Sequence, residues 1–177
     1  GNDADGTVEL FDPATETFTD GGTLLTPRAG PTLTLLQDGR VLIAGGYTDG
    51  PPMTTAEIYD PVTGTSALTG DLREARYGHS ASLLPDGRVL IVGGMAPGPD
   101  YNEALASAEL YDPATGTSAP TGSMVTERAG ARSVTLGDGR VLVAGGSNVD
   151  GDPRTIELYD PTSSTFTVAG DLAPAQT

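Results

Sequence analysis

The sequence of 177 residues contains no cysteine, no lysine and no tryptophan, and it has a single histidine. The absence of cysteine excludes a disulfide framework, a thiolate metal centre, an iron–sulfur cluster and a cysteine nucleophile. All nine basic residues are arginine, against 24 Asp and Glu, which gives a formal net charge of −15. This balance argues against a nucleic-acid groove or an anionic membrane surface as partner. No apolar run reaches the roughly 18 residues of a membrane-spanning helix, so we expect no membrane insertion.

Several short patterns recur along the chain in the same order, which indicates internal repeats. The segment Asp-Gly-Arg-Val-Leu starts at residues 38, 86 and 138, and each copy is followed by two apolar residues and a pair of glycines. A glutamate stands two residues before each copy of an aromatic-Asp-Pro pattern, whose aromatic residues are Phe11, Tyr59, Tyr111 and Tyr159. The spacings of 48 and 52 residues define a repeat of about 50.

Each repeat predicts four short antiparallel strands and almost no helix. In the central repeat the strands are predicted at Ser80–Leu84, Arg88–Val92, Ala108–Tyr111 and Thr117–Ala119. Asp86-Gly87 between two apolar runs predicts a two-residue type I′ hairpin, and Gly93-Gly94 predicts a bend or a close backbone approach. Because a meander of this size cannot bury both of its faces alone, we expect the sheets to stack radially.

These residues resemble the kelch repeat, in a form typical of bacterial proteins and related to the propeller domain of galactose oxidase. The resemblance is carried by Arg76-x-x-His79-Ser80, by Asp86 to Gly94 and by Glu109-x-Tyr111-Asp112-Pro113. It implies an all-β fold, a kelch-type β-propeller arc of about three and a half four-stranded blades that is part of a six- or seven-bladed ring. The family usually has a tryptophan seven residues after the tyrosine, where this chain has Phe18, Ser66, Ser118 and Phe166.

The repeats divide the single propeller segment 1–177 into five parts. We predict a half blade at 1–23, full blades at 24–71, 72–123 and 124–171, and the start of a further blade at 172–177. Closed propellers have about four to eight blades. We therefore expect the arc to be completed by the rest of its own propeller or by another copy of the chain.

Three recurring arginines are predicted near the loops that join the fourth strand of one blade to the first strand of the next: Arg28, Arg76 and Arg128. A ring of guanidinium groups at a channel mouth could bind an acidic sugar or another carboxylate in a bidentate manner. The alternative is a structural ion pair in every repeat with the recurring glutamates, which are Glu9, Glu57, Glu109 and Glu157. Recurrence in every blade favours this alternative.

The connections between second and third strands vary in length, and variable loops on a rigid scaffold commonly carry binding residues. The longest of them includes Met95–Ser107. Together with the three arginines, we predict as ligand contacts His79, Asp100, Tyr101, Asn102, Glu103 and Arg132. The plainer interpretation is a solvated loop and, for the histidine, a single local hydrogen bond beside the inner strand.

No catalytic residue, metal site or cofactor is predicted. One histidine and no cysteine cannot by themselves form the two-histidine, two-tyrosine and Cys–Tyr site of kelch-type copper oxidases, which the fold resembles. The sequence also gives no basis for assigning a Ser-His-Asp site to the single histidine. The oxygen-rich loops at 2–6 and 148–152 lack a full set of calcium ligands.

We expect a non-catalytic scaffold that binds a protein or carbohydrate ligand through its 2–3 and 4–1 loops, and the resemblance implies a secreted or cell-envelope protein. The alternative is a fragment of a larger carbohydrate-active enzyme, galactose-oxidase-like or sialic-acid-processing, whose catalytic residues lie outside this chain.

Overall fold

The computed structural model describes residues 6–98 and 101–173, which form sixteen strands and no helix. Within these residues, therefore, no helix is present that could cross a membrane. Two strands form a half blade, β1 (Thr7–Asp12) and β2 (Thr17–Thr23). Blade I follows and consists of β3 (Thr32–Leu35), β4 (Val41–Ala44), β5 (Ala56–Asp60) and β6 (Thr65–Leu68).

The two later blades repeat this order of strands. Blade II consists of β7 (Ser80–Leu83), β8 (Val89–Val92), β11 (Ala108–Asp112) and β12 (Thr117–Pro120). Its 2–3 connection contains a separate hairpin of β9 (Met95–Gly98) and β10 (Tyr101–Ala104). Blade III consists of β13 (Arg132–Thr135), β14 (Val141–Ala144), β15 (Thr155–Asp160) and β16 (Thr165–Asp171).

Each blade is an antiparallel meander, so the predicted all-β arc of a half blade and three four-stranded blades is confirmed. The 1–2 and 3–4 turns of a meander lie on one side, which we name the turn face. The 2–3 and 4–1 loops lie on the opposite side, which we name the loop face.

The core of the protein lies between neighbouring blades. Blades I and II enclose one cluster of buried side chains: Leu36, Leu42, Ala44, Ala56, Leu72, Val89, Ile91 and Tyr111. A second cluster joins blades II and III and includes Leu90, Val92, Val141, Val143 and Tyr159. Each fully buried aliphatic side chain stabilises the fold by about 1.5–3 kcal/mol. The second strand of blade II, β8, contributes to both clusters, and all four of its residues are buried.

The face of blade I that is turned towards the half blade keeps apolar side chains exposed. Thr32 on β3 is directed towards blade II, where its Oγ1 lies 2.9 Å from His79 Nε2. Because side chains alternate along a strand, Leu33 and Leu35 face the other side, where they are 68% and 64% exposed. On that side the described part of the chain supplies only the two outer strands of the half blade.

The turns between first and second strands differ from the predicted type I′ hairpin. The Gly39 amide donates to the Leu36 carbonyl at 3.1 Å, and the Leu36 amide donates to the Arg40 carbonyl at 2.8 Å. The positive φ in this turn is at Gly39 (87°), whereas a type I′ turn needs a positive φ at Asp38 as well. The prediction is therefore wrong: the loop has three residues and ends with a left-handed glycine, as in a type I turn followed by a bulge.

Serine replaces the aromatic residue in the fourth strands of blades I and II, and it has a different role. The Ser66 hydroxyl donates to Glu57 Oε2 at 2.6 Å, and the Ser118 hydroxyl donates to the equivalent oxygen of Glu109. In blade III the same position is Phe166, whose ring lies 4.9 Å from that of Tyr159. The missing tryptophan is therefore offset by a hydrogen bond in two blades and by a smaller aromatic ring in the third.

The glycine pairs that end the second strands lie in close backbone contact with the next blade. The Gly46 amide donates to the Arg76 carbonyl at 2.9 Å, and the Gly94 amide donates to the Arg128 carbonyl at 3.0 Å. A Cβ atom on Gly45 would overlap the Arg76 carbonyl oxygen and lie 2.8 Å from His79 Cε1. At the equivalent Gly145 none of the atoms of residues 6–98 and 101–173 lies within 4 Å of such a Cβ.

This difference predicts unequal effects of one substitution at two equivalent positions. Both Gly45 and Gly145 have a positive φ, 62° and 72°, so alanine is strained at each. Gly45→Ala adds a collision with the next blade, and we expect it to lower the free energy of unfolding by about 1–3 kcal/mol more than Gly145→Ala does. Urea denaturation of the two variants measures the difference, and equal losses would contradict this description of the blade contact.

Candidate functional site

Each blade contains a buried ion pair between the arginine before its first strand and the glutamate of its third strand. The distances from Nη2 to Oε1 are 2.7 Å for Arg28–Glu57, 3.1 Å for Arg76–Glu109 and 3.0 Å for Arg128–Glu157. All six side chains are at most 2% exposed. The ion pair that the sequence predicted as the structural alternative is therefore present in each of the three full blades.

Backbone groups satisfy the remaining hydrogen-bonding capacity of the pair in blade I. The Arg28 Nη1 donates to the carbonyls of Gly45 and Thr55 at 2.9 and 2.8 Å. The Glu57 carboxylate accepts the amides of Leu25 and Thr26 at 2.8 and 2.9 Å. Burial by itself raises the pKa of Glu57, but the hydrogen bonds from Ser66, from the two amides and from the guanidinium outweigh it and lower the pKa.

Blade II adds a second carboxylate to its ion pair. Glu74 stands where the other blades have threonine, and its Oε2 lies 3.1 Å from Arg76 Nη2. The side chain of Glu74 is 41% exposed, whereas that of Arg76 is 1% exposed. These contacts give the three arginines a structural role, and their part in ligand binding stays a prediction.

His79 lies between blades I and II. It is 4% exposed and shares a hydrogen bond with the Thr32 hydroxyl through Nε2, whereas Nδ1 is buried without a partner. Burial and the nearby positive charge of Arg76 lower the pKa of His79 to about 3. The imidazole is therefore neutral at physiological pH and acts as a contact between blades. A role in ligand binding stays a prediction.

The other predicted contacts are distributed over different parts of the protein. Glu103 is exposed on β10, and the backbone of Tyr101 and Asn102 belongs to the same strand, whereas Asp100 lies outside the described residues. Arg132 is exposed on β13, where its Nη1 lies 3.3 Å from the Ala131 carbonyl. The predicted long loop is thus a β-hairpin, and it is the one element that brings several predicted contacts together.

Two tyrosines on the loop face lie at the junction of blades I and II. The rings of Tyr47 and Tyr77 pack edge to face, with centroids 4.8 Å apart and planes inclined at 62°. The Tyr77 hydroxyl lies 3.2 Å from Met95 Sδ, and the backbones of these two residues pair in a β-bridge. Because Met95 begins the β9–β10 hairpin, this hairpin starts directly beside the tyrosine pair.

A cleft of about 220 Å³ opens at this pair, lined by Tyr47, Gly50, Pro51, Pro52 and Tyr77. The loop that forms it folds back through a β-bridge between Tyr47 and Pro52. Beneath it, neighbouring 4–1 loops are joined by hydrogen bonds, from the Gly78 amide to the Gly30 carbonyl at 3.2 Å and from the Gly130 amide to the Gly78 carbonyl at 2.8 Å. The cleft is therefore supported by a rigid backbone.

The predicted site residues did not include either tyrosine, although the sequence contains a signal for both. Tyr47 directly follows its glycine pair, where the other blades have methionine and serine. Tyr77 directly follows Arg76, where the other blades have alanine twice. At these two positions the chain has a large aromatic side chain where the other repeats have a small or flexible one, so each tyrosine departs from the repeat. The structure shows that the two tyrosines are in contact.

The comparisons with known proteins agree with the repeats. Residues 32–66 match the family model described as Kelch motif. Residues 32–66 therefore contain a kelch motif. The solved structure titled "Structure of YjhT" has the same fold, with a TM-score of 0.77 and 16% sequence identity over 93% of this chain. This chain spans 52% of the length of that chain. A search of curated protein sequences finds no match.

The turn face of this kelch arc repeats the same contacts in each blade. Each 1–2 turn has an exposed Asp–Arg pair with an Nη2–Oδ2 distance of 2.7 Å: Asp38–Arg40, Asp86–Arg88 and Asp138–Arg140. Each 3–4 turn has an aspartate that accepts the backbone amide two residues later: Asp12, Asp60, Asp112 and Asp160. The described residues contain no cluster of three or more His, Asp or Glu side chains that could hold a metal ion.

The buried and exposed arginine pairs of blade III predict very different costs for the same substitution. Arg128→Gln leaves the buried Glu157 carboxylate without its cation, and we expect a loss of about 3–5 kcal/mol in the free energy of unfolding. Arg140→Gln removes an exposed pair whose side chains are 46% and 51% exposed, and we expect a loss of about 0–1 kcal/mol. Chemical denaturation measures both, and similar small losses would rule out the structural role of the buried pair.

The environment of His79 predicts a specific dependence of stability on pH. The unfolded chain binds a proton at this residue near pH 6.5, whereas the folded chain binds it only near pH 3. Stability is therefore full above the unfolded value and falls as the pH decreases, by about 2 kcal/mol from about pH 7.5 to about pH 5. The carboxylates with lowered pKa values titrate mostly below this interval.

The control is His79→Gln, which keeps a polar group beside the Thr32 hydroxyl but does not titrate. Urea denaturation across this pH interval should show the decrease in the unmodified protein and a nearly flat profile in the variant. A decrease of the same size in both proteins would mean that another group causes it.

Proposed function

We propose that this chain is a non-catalytic binding module that recognises a protein or carbohydrate ligand through its loop face. The kelch propeller fold suggests a binding scaffold. The proposal is carried by one observation, which is that the two faces of the arc differ in how far they follow the repeat.

The turn face follows the repeat closely. Its aspartates and arginines recur in each full blade, and they are paired with one another or with the backbone of their own turns. A residue that recurs in this way is explained by the turn that it stabilises. A ligand that bound such a surface would find the same groups in every blade.

The loop face departs from the repeat at one place. Tyr47, Tyr77 and the β9–β10 hairpin have no equivalent in blade III, and they adjoin one another at the junction of blades I and II. Rigid aromatic side chains provide large contact areas at low entropic cost, which is why they dominate binding surfaces. This concentration of unique side chains supports a ligand site on the loop face.

The contacts of the titratable groups support a binding role over a catalytic one. The single histidine is buried and neutral, and each recurring buried glutamate of the full blades is paired with an arginine. A general acid or base has to reach a substrate proton, and these groups face protein on all sides. The alternative of an enzyme fragment with catalytic residues outside the chain stays a prediction.

The test compares the unmodified chain with variants of each face on glycan and peptide arrays. The double variant Tyr47→Ser, Tyr77→Ala replaces each tyrosine with the residue at the equivalent position of blade III, which is Ser147 and Ala129. Folding should therefore be retained. Arg40→Gln is the control on the turn face. We expect ligands that bind the unmodified chain and Arg40→Gln but bind the double variant about tenfold to thirtyfold more weakly, as for an aromatic hot spot.

Thermal melting shows whether each variant remains folded. The proposal fails if neither array yields a ligand, or if the folded double variant binds as well as the unmodified chain. It also fails if binding depends on the turn-face variant instead.

A further inference from the structure

The geometry points to the Tyr47–Tyr77 cleft as a site for a proline-rich peptide in the polyproline II conformation, with a basic residue beside the prolines. This inference rests on the proposed function, because it names the ligand class and the residues of a site on the same loop face.

The first argument is the composition of the cleft. Its lining consists of two tyrosines, two prolines and one glycine, and none of these described residues carries a charge or a carboxamide. Sugar rings are held by several directed hydrogen bonds to their hydroxyl groups, for which charged and amide side chains are the usual partners. A prolyl ring needs apolar and aromatic contact, and aromatic-lined grooves bind polyproline II segments in this way.

The second argument is the shape and size of the cleft. The two rings are inclined at 62°, so they form an angular apolar surface instead of one flat stacking platform. The volume of about 220 Å³ is smaller than the roughly 300–1,000 Å³ of pockets that enclose a drug-sized molecule. The cleft therefore suits a ring the size of one side chain that enters from an extended segment, and the segment itself stays outside.

The third argument is charge. The chain carries a formal charge of −15, and exposed Asp49 precedes the glycine of the lining. The nearest recurring arginine in sequence, Arg76, is 1% exposed and paired with two carboxylates, so it offers no positive charge to the cleft. The part of the ligand that enters the cleft should therefore be uncharged, as a proline is. An arginine or lysine beside the prolines adds a favourable electrostatic interaction with the negatively charged protein. The same charges disfavour an acidic sugar in this cleft.

The support beneath the cleft favours the preformed, stiff ligand. Tyr47 is fixed by backbone hydrogen bonds in both directions with Ala29, at 2.8 and 2.9 Å, and Tyr77 is fixed in the same way with Met95, at 3.1 and 2.9 Å. A rigid site and a polyproline II segment, which is already extended before it binds, both lose little conformational entropy on association.

The experiment titrates ¹⁵N-labelled chain with three synthetic peptides and one sugar. The peptides are hexaproline flanked by arginine, hexaproline flanked by aspartate, and an arginine-flanked hexaalanine; lactose represents neutral sugars. The protein has no tryptophan and six tyrosines, of which two line the cleft, so a change in tyrosine fluorescence that is lost in the Tyr47 and Tyr77 variants gives a second readout of binding. We expect the arginine-flanked proline peptide to bind most tightly, with shifts in the amides of Tyr47, Tyr77 and Met95, and to weaken as salt is added.

The variants Tyr47→Ser and Tyr77→Ala should each weaken this peptide at least tenfold. Val149→Ala is the control, because Val149 is 86% exposed on the equivalent loop of blade III, and it should leave binding unchanged. Three results would overturn the inference: no binding of the proline peptide at millimolar concentration, equal binding of the alanine peptide, or equal binding by folded tyrosine variants.

The outcome separates this inference from the broader proposal. If lactose or an array ligand binds at the two tyrosines and the proline peptides do not, the loop-face site stands and the assignment of its ligand class is wrong. If the array experiment also finds no ligand that depends on the loop face, the proposed function fails as well.

Discussion

A buried arginine–glutamate pair in each blade holds together segments that are far apart in sequence. A buried ion pair is favourable only when its remaining donors and acceptors are satisfied, because both charges have lost their hydration. Around Arg28 and Glu57 this condition is met by carbonyls at both ends of the 2–3 connection and by amides of the 4–1 loop. The pair therefore fixes the two loops of the loop face against the third strand. In an all-β blade without disulfides or helices, this buried contact adds to the backbone hydrogen bonds that join neighbouring loops.

Beside the large apolar side chains of the core, some contacts between blades are made by the smallest groups on the chain, and these contacts limit where larger residues fit. Glycines at the ends of the second strands allow backbone to touch backbone, as at Gly45 and Gly93. Hydroxyl groups join the inner strands, since Ser133 Oγ lies 2.7 Å from both Ser80 Oγ and Ser82 Oγ. With the blades packed this closely on their inner side, large side chains that are not part of the core are displaced to the outer strands and to the loop face. An aromatic pair on the loop face therefore lies on a fixed base and is open to solvent on one side.

The repeat predicted the strands of the fold well, and it predicted the details of single positions less well. Four strands per repeat follow from the alternation of apolar runs with glycine and Asp-Pro turns, and the strands of blade II agree with the prediction to within one residue. The prediction of a type I′ turn at Asp86-Gly87 was wrong because a two-residue pattern does not reveal which residues pair across the loop. The Leu84–Arg88 pair sets a loop of three residues. The hydrogen bond from Ser66 to Glu57 could not be predicted from the sequence. The repeat pattern suggested an arginine as the partner of this glutamate and gave no sign of a contact with the neighbouring strand. The tyrosine pair needed the structure because its members are 30 residues apart in sequence and belong to different blades.

Departure from the repeat does not by itself mark a functional residue. Glu16 and Ser164 occupy turn positions where blades I and II have glycine. They adopt left-handed φ values of 55° and 57°, which are energetically unfavourable for residues other than glycine. Phe18 is 65% exposed where the equivalent Phe166 is buried. These departures lie in outer turns and outer strands, they do not adjoin one another across blades, and local strain or the incomplete half blade explains them. Tyr47, Tyr77 and the β9–β10 hairpin differ because three departures from separate parts of the sequence meet around one cleft. Spatial convergence of unique residues on a repetitive scaffold is a stronger criterion than uniqueness alone, because departures scattered along the sequence by chance would seldom meet around one cleft.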